Sequence, residues 1–175
     1  MSFYQKISAV GLKFFSKGSL FKHGFNYSPM YRRTTGRITH ATDDLLEIRM
    51  KLPINWKNRN YVNTIFGGSM FSSVDPIPMV QLMNILGKDY VVWDKSAQID
   101  FKRPAKVDLY ATFSYSPEEI AEIKNRVAND HEIEITKETR LMDREGEKEY
   151  CRVKKQIYVA DKKFFKEKKS RNKKA

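Results

Sequence analysis

The chain has 175 residues, of which 41% are hydrophobic and 13% aromatic, and its formal net charge is +12. This size fits one globular domain with a single core, and no apolar run approaches the ~18 residues that a membrane-spanning helix needs. One cysteine, Cys151, excludes an internal disulfide, and the three histidines are too scattered for a metal site.

Four apolar residues recur at helical spacing near the start of the chain: Phe3, Ile7, Val10 and Phe14. They predict a short amphipathic helix over residues 3–15, and Ser28-Pro29 then breaks the pattern. We therefore assign residues 1–27 to an N-terminal helix and basic arm, and residues 28–161 to the main domain. The lack of a compact apolar signal predicts a cytoplasmic protein; a transit peptide is the alternative for this basic segment.

Alternating apolar and polar residues predict strands through most of the main domain. Two strands lie between Gly36 and Ile54, with Asp43-Asp44 as the turn. Further strands are predicted over 91–101, 107–115, 132–142 and 149–159. A short helix begins at Ser116-Pro117, where serine can cap and proline can occupy the first turn, and it ends near Asn129.

The stretch from Gly67 to Leu86 is too apolar on all sides for a surface helix. Other elements must therefore surround it. One antiparallel sheet curled around one long central helix satisfies the pattern, so the predicted class is α+β.

Both ends of the chain are basic. Residues 1–37 carry seven Lys or Arg and no acid, and residues 162–175 carry eight Lys or Arg and one acid. We expect residues 162–175 to be a disordered, solvated tail; attraction of an anionic partner is the alternative. A nucleic-acid partner is not expected, because only Phe164-Phe165 interrupts this basic run and the body of the chain is slightly acidic.

The start of the central helix carries a specific pattern, Asn60-x-x-Asn63-Thr64-x-Phe66-Gly67-Gly68-x-x-Phe71-x-x-x-Asp75. It resembles the helix-entry motif of hot-dog acyl-CoA thioesterases of the phenylacetate-pathway type. From about residue 28 to 159 the chain also resembles a branch of that superfamily catalogued as a domain of unknown function, including the Arg103-Pro104 step after the third strand. The resemblance implies a hot-dog fold, here with an extra N-terminal helix.

The resemblance also implies the partners. They are an acyl-CoA or acyl-carrier-protein thioester and a second copy of the chain, in a homodimer or dimer of dimers. Coenzyme A is then part of the substrate, and neither a separate cofactor nor a metal is implied. Stable membrane insertion is not expected.

Gly67 and Gly68 are the candidate oxyanion site. Without side chains they let a ligand approach the backbone, and their N–H groups at a helix start are unpaired and favour negative charge. Such donors can polarise a thioester carbonyl, each for about 3 kcal/mol of barrier. The other interpretation is a tight turn that leads into a helix.

Asp75 is the candidate catalytic carboxylate by resemblance, as general base or nucleophile. It follows Gly67 by eight residues, or ~12 Å of helical rise, and in the family's dimers the two features come from different subunits. The alternative is that Asp75 caps a second helical segment that begins at Pro76. Pro76 and Pro78 predict that the helix is kinked or split at Asp75.

The remaining candidates concern substrate binding. Phe66 stands where the thioesterase motif has histidine, and with Phe71 it suggests an apolar acyl pocket. Asn60 could hold a carbonyl or a water, whereas Asn60 and Asn63 are ordinary loop residues in the other interpretation. Thr64 completes the set from the motif.

Three lysines occupy strand positions that otherwise carry apolar residues: Lys95, Lys137 and Lys155. Inward-facing lysines are rare unless they are paired or line a polar cavity. They mark register breaks or edge strands in one interpretation. In the other, one of them, such as Lys95, binds the phosphates of coenzyme A, and Arg103 is a further candidate for that role.

The sequence thus predicts a thioesterase-like hydrolase that cleaves an acyl thioester with a carboxylate and a backbone oxyanion site. A non-catalytic acyl-CoA or fatty-acyl binding protein on the same fold is the alternative. Phe66 in place of histidine and the break at Asp75 favour that alternative.

Overall fold

A computed structural model describes residues 15–172 of the chain, so the helix predicted over 3–15 lies outside the described residues. The helices are α1 Lys17–Tyr27, α2 Pro29–Arg32, α3 Gly67–Val74, α4 Pro76–Leu86, α5 Pro117–Asp130 and α6 Lys162–Asn172. The strands are β1 Arg37–Ala41, β2 Glu47–Leu52, β3 Tyr90–Phe101, β4 Leu109–Ser114, β5 Glu132–Met142 and β6 Glu149–Asp161. No helix among these is long and apolar enough to cross a membrane.

The six strands form one antiparallel sheet in the order β1-β2-β4-β5-β6-β3. The predicted alternating segments and the turn at Asp43-Asp44 are therefore confirmed. The β4–β5 ladder is reduced to the single pair Tyr110–Met142, whereas β6 pairs along its length with both β5 and β3. β3 is an edge strand.

The central helix crosses one face of the sheet, which we call the inner face. Met70, Val74, Ile77 and Leu82 of α3 and α4 are buried there against apolar side chains of the strands. α5 contacts β5 and β6 and shares a buried apolar cluster with the end of α4. Its start agrees with the prediction, because the Ser116 hydroxyl accepts a hydrogen bond from the Glu119 N–H at 3.1 Å.

The central helix is split at Asp75, as the prolines predict. α3 ends at Val74 and α4 begins at Pro76, yet Asp75 keeps helical angles and its N–H bonds the Phe71 carbonyl at 2.9 Å. Its side chain makes no capping hydrogen bond, so the structure does not support the capping interpretation. The buried Tyr31 hydroxyl donates to the Ser73 carbonyl at 2.9 Å beside the break.

α1 was not predicted, and it belongs to the main domain rather than to a separate arm. The Ser16 hydroxyl caps it by accepting a hydrogen bond from the Ser19 N–H. Phe21 and Phe25, one turn apart, stack and pack against the core. The assigned boundary at residue 28 therefore falls too late, because burial of these two rings attaches α1 to the sheet.

A β-bulge at Lys95 changes which residues of β3 face the inner side. Asp94 lies opposite Ile157 and Ser96 opposite Gln156, so Lys95 is the extra residue. Trp93, which strict alternation along the strand would place on the same face as Ile99, consequently lies on the outer face, where its ring stacks on Tyr158 at 4.9 Å. The register-break interpretation of Lys95 is confirmed.

The basic segment from Lys162 to Asn172 is the helix α6, so the expectation of a disordered tail is wrong for these residues. Phe165 packs edge-on against Trp93 at 5.0 Å, and Phe164 stacks on His131 at 5.0 Å. The two aromatic rings hold the helix against the outer face of the sheet while its lysines remain solvated.

Candidate active site

The segment that leads into α3 is held by a compact turn over residues 60–64. The Asn60 side chain accepts hydrogen bonds from the N–H groups of Val62 and Thr64 and donates to the Thr64 hydroxyl at 2.9 Å. Asn63 has the left-handed φ of 61° that the turn needs. Asn60 and Asn63 thus act first as loop residues, the second of the two interpretations.

Backbone hydrogen bonds fix the start of α3 itself. The Phe66 N–H donates to the Asn58 carbonyl at 2.8 Å, and the Ile65 N–H donates to the Ala105 carbonyl at 2.8 Å. The Phe66 carbonyl accepts from Ser69 and Met70. Within residues 15–172 the N–H groups of Gly67 and Gly68 have no such partner, as expected for the first turn of a helix.

A groove of about 470 Å³ opens at this helix start. Its walls combine apolar and basic side chains with the turn: Asn60, Val62, Thr64, Ile65, Gly67, Met70, Phe101, Lys102, Arg103 and Pro104. Arg103 makes a cation–π contact with Tyr150, with its guanidinium 5.9 Å from the centre of the ring. The groove therefore combines an apolar wall with cations near its rim.

Asp75 lies outside this groove and is held by a buried lysine. The Lys155 ammonium donates to Asp75 Oδ1 at 2.7 Å, to the Asp75 main-chain carbonyl at 2.6 Å and to Asp94 Oδ2 at 2.5 Å. Lys155 is 2% exposed, whereas the Asp75 side chain is 41% exposed. A buried ammonium therefore links the helix break to strands β6 and β3.

Asp94, whose side chain is 25% exposed, is the more buried of the two carboxylates. Its Oδ1 is buried and has no hydrogen-bond partner among the described residues. Burial raises the pKa of Asp94 above its ordinary value, and the nearby Lys155 ammonium offsets only part of that rise. Asp94 therefore gains a proton more readily than an ordinary aspartate as the pH falls.

The structure gathers part of the predicted set and separates the rest. Asn60, Thr64, Gly67 and Arg103 meet at the groove. Phe71 instead packs against the core, and Phe66 is 57% exposed with its ring beside Gly68.

Lys95 is remote from the groove. It lies on the outer face of the sheet, where it forms an ion pair with Glu134. Lys137 is also paired, with Glu119 at 2.9 Å. Of the three lysines singled out in the sequence, only Lys155 contacts a candidate catalytic residue.

Sequence reasoning missed Asp94 altogether. Its position among the residues of β3 predicts an outward, solvated carboxylate, and only the bulge at Lys95 allows it to face inward with Ala97 and Ile99. The available signal was Lys155, because a lysine at an apolar strand position needs an acceptor nearby.

Solved structures share this fold at low sequence identity. A Pseudomonas aeruginosa protein of unknown function, named a probable thioesterase, has a TM-score of 0.69 at 18% identity over 82% of this chain and 95% of its own. A protein of unknown function from Chlorobaculum tepidum has a TM-score of 0.65 at 16% identity over 82% and 93%. A Haemophilus influenzae thioesterase has a TM-score of 0.60 at 12% identity over 84% and 92%.

These similarities confirm the predicted α+β hot-dog fold. A search of curated proteins found no match. The model of one family, described as a domain of unknown function (DUF4442), matches residues 17–159, and the chain belongs to that family.

Proposed function

We propose that the protein hydrolyses acyl thioesters. One observation carries the proposal. The central helix offers unpaired N–H groups at Gly67 and Gly68 and, farther along, a partly exposed carboxylate, Asp75, which the buried Lys155 ammonium fixes. The names of the Pseudomonas aeruginosa and Haemophilus influenzae proteins of the same fold agree with this reaction class.

The chemistry assigns one task to each feature. The thioester carbonyl oxygen accepts hydrogen bonds from the Gly67 and Gly68 N–H groups, which stabilise the negative charge that develops during attack. In one route Asp75 accepts a proton from water as the hydroxyl adds to the carbonyl carbon; the C–S bond then breaks and the thiolate takes up the proton. In the other, Asp75 adds to the carbonyl carbon, the C–S bond breaks and the thiolate leaves. Water then hydrolyses the resulting anhydride to the free acid, which regenerates the Asp75 carboxylate and supplies the proton that the thiolate takes up.

Two copies of the chain make a complete site in this proposal. Asp75 follows Gly67 by about two helical turns, or ~12 Å, and it does not line the groove. The 12-residue strand β3 pairs with β6 on one side and with no other strand of the described chain on the other. An unpaired edge of this length is suited to pairing with a second copy, which would bring Asp75 of one protomer toward the groove of its partner.

The groove supports a coenzyme A or carrier-protein thioester with an apolar acyl group. Val62, Met70 and Phe101 offer an apolar wall, and Lys102 and Arg103 offer cations for phosphate. This favours an anionic, phosphate-bearing thiol as the leaving group.

A second candidate is binding of an acyl thioester without hydrolysis. Phe66 puts an exposed aromatic ring where the thioesterase motif has histidine, so a polar group that orients the substrate is missing. Lys155 also occupies one oxygen of Asp75. Saturable binding without release of thiol would favour this candidate.

The test is thiol release from short-, medium-, long-chain and aromatic acyl-CoAs and from acyl-carrier-protein thioesters. Asp75→Asn is compared with wild type, and Asp130→Asn, at an exposed position on α5, is the matched control. We expect turnover by wild type and by the control, and at least about a hundredfold loss of kcat in Asp75→Asn. Absence of wild-type turnover on every substrate would refute hydrolysis.

A further inference from the structure

The Lys155 ammonium uses all three of its N–H donors, and every acceptor belongs to Asp75 or Asp94. Val153 and Ile157, its neighbours on the inner face of β6, are buried apolar residues. An ammonium in such surroundings is costly unless it is fully paired. Because a leucine or methionine would fill the same position of the strand at less cost, packing alone does not explain a lysine here.

The contacts with Asp75 constrain both its backbone and its side chain. The same nitrogen bonds the main-chain carbonyl at the break between α3 and α4 and the carboxylate oxygen Oδ1. Rotation of the carboxylate is thereby restricted. Oδ2 is the oxygen that Lys155 leaves free, and the side chain is partly exposed to solvent.

Asp94 supplies the second counter-charge. Its Oδ2 holds the ammonium from the β3 side, opposite Asp75. Two carboxylates and one ammonium carry a net charge of −1 when all are ionised. The Asp75 side chain, 41% exposed against 25% for Asp94, is the more open of the two carboxylates to solvent. Burial, followed by the charge of Asp75, raises the pKa of Asp94, and the Lys155 ammonium offsets part of that rise.

We infer that Lys155 and Asp94 are positioning residues for the reaction at Asp75. Lys155 fixes Oδ1 and the helix break so that Oδ2 faces the substrate, and Asp94 keeps the ammonium in place. This inference rests on the proposed hydrolysis, and it assigns roles to two residues outside the helix-entry motif.

Charged groups from every neighbouring element bear on the test. Asp75 comes from the helix break, Asp94 from β3 and Lys155 from β6. Lys137 of β5 lies opposite Lys155 in the register and is paired with Glu119 of α5. Because Lys137 is a second lysine on the inner face with a partner of its own, Lys137→Met is the matched control.

The experiment compares kcat, KM and the pH profile of kcat/KM for Asp94→Asn, Lys155→Met and Lys137→Met with wild type. We expect kcat to fall about tenfold in Asp94→Asn and about a hundredfold in Lys155→Met, with KM changed less than about twofold. Lys137→Met keeps the wild-type kcat. Circular dichroism and size-exclusion chromatography establish that each variant is folded and has the wild-type oligomeric state.

The pH profile distinguishes positioning from general damage. Removal of the cation in Lys155→Met moves the acidic limb to higher pH, and removal of the anion in Asp94→Asn moves it to lower pH, each by about one unit. A loss of folded protein lowers the rate without shifting the limb, and it does not produce shifts of opposite sign. If Lys155→Met does not fold, Asp94→Asn alone decides, by its kcat and the direction of its shift.

Two failures are distinguishable. If Asp75→Asn is inactive while folded Asp94→Asn and Lys155→Met keep wild-type kcat and pH profiles, the positioning roles are refuted and hydrolysis stands. If wild type binds acyl-CoA but releases no thiol, the proposed function is refuted, and the positioning roles with it.

Discussion

The ring of Phe101 lies against the backbone of Gly67, so closely that a Cβ carbon at position 67 would stand 2.7 Å from Cζ of the ring. This contact joins the first turn of the central helix to the end of the edge strand β3. It also sets the width of the groove, because both residues line it.

Gly67→Ala is expected to weaken substrate binding more than it weakens the fold. The added methyl group forces the Phe101 ring, which is 56% exposed, to shift, and this changes the shape of the groove that both residues line. Alanine is also the better helix former, so the free energy of unfolding changes by less than about 1 kcal/mol. We expect KM for acyl-CoA to rise about tenfold, measured by thiol release.

Two further variants check the cause. In Gly67→Ala/Phe101→Leu the smaller side chain relieves the clash, so the effects on KM combine to less than their sum. Gly24→Ala, inside α1 with no atom within 4 Å of the new Cβ, leaves KM unchanged. Equal KM for Gly67→Ala and wild type would contradict the role of this contact.

Arg103 and Lys95 were both candidates for the phosphates of coenzyme A, and the structure places them on different surfaces. Arg103 lines the groove, whereas Lys95 pairs with Glu134 on the outer face. We expect Arg103→Ala to raise KM for acyl-CoA about tenfold, with a smaller effect for a truncated pantetheine thioester that lacks the nucleotide phosphates. Lys95→Ala, the control, leaves both values within twofold, and the reverse pattern would place the phosphate site on the outer face.

Cys151 is expected to resist alkylation in the folded protein. Burial, followed by the nearby charges of Asp100 and Glu149, raises the pKa of Cys151 to about 11. The thiolate fraction at pH 8 is then on the order of 10⁻³, and it grows only as the pH approaches 11. Mass spectrometry after iodoacetamide treatment should find little modification at pH 8 without denaturant and complete modification in guanidinium chloride. Rapid labelling of the native protein would mean that Cys151 is accessible.

Removal of the Phe165 ring tests whether α6 is part of the fold. Phe165 packs against Trp93 and Tyr158 on the outer face of the sheet. We expect Phe165→Ala to lower the free energy of unfolding by about 1–3 kcal/mol and to shift the emission of Trp93 to longer wavelength, because the indole, 40% exposed in the native protein, becomes more hydrated. Urea unfolding with fluorescence detection measures both.

The matched control for this prediction is Phe15→Ala, because Phe15 is largely exposed and precedes α1. It should change stability by less than about 0.5 kcal/mol. If Phe165→Ala has an equally small effect, the basic segment behaves as the solvated tail that its composition suggests.

Local patterns were sufficient for the predictions that depend on neighbouring residues in the chain. Strand alternation, the serine cap of α5 and the split at Asp75 all depend on side-chain spacing or on the geometry of proline, and each is present in the structure. The pattern around Gly67 and Gly68 likewise predicted a helix start with unpaired N–H groups.

Predictions failed where distant residues decide the outcome. The charge of the segment 162–172 indicated a tail, but the aromatic pair at positions 164 and 165 finds its partners on β3 and just before β5. The packing of those rings stabilises the helix against the sheet. It does not remove the lysines from water, because their ammonium groups remain exposed on the helix.

The sequence by itself determined the fold class, the start of the central helix and the break at Asp75. Each follows from the periodicity of apolar residues, from the fixed φ of proline or from the absence of a side chain in glycine. Only the tertiary structure decided which charges meet. Asp75, Asp94 and Lys155 come from three elements as far as 80 residues apart, and a single bulge turns Asp94 inward. The register of the sheet brings these three side chains together. Register depends on the packing of all the strands together rather than on any local pattern.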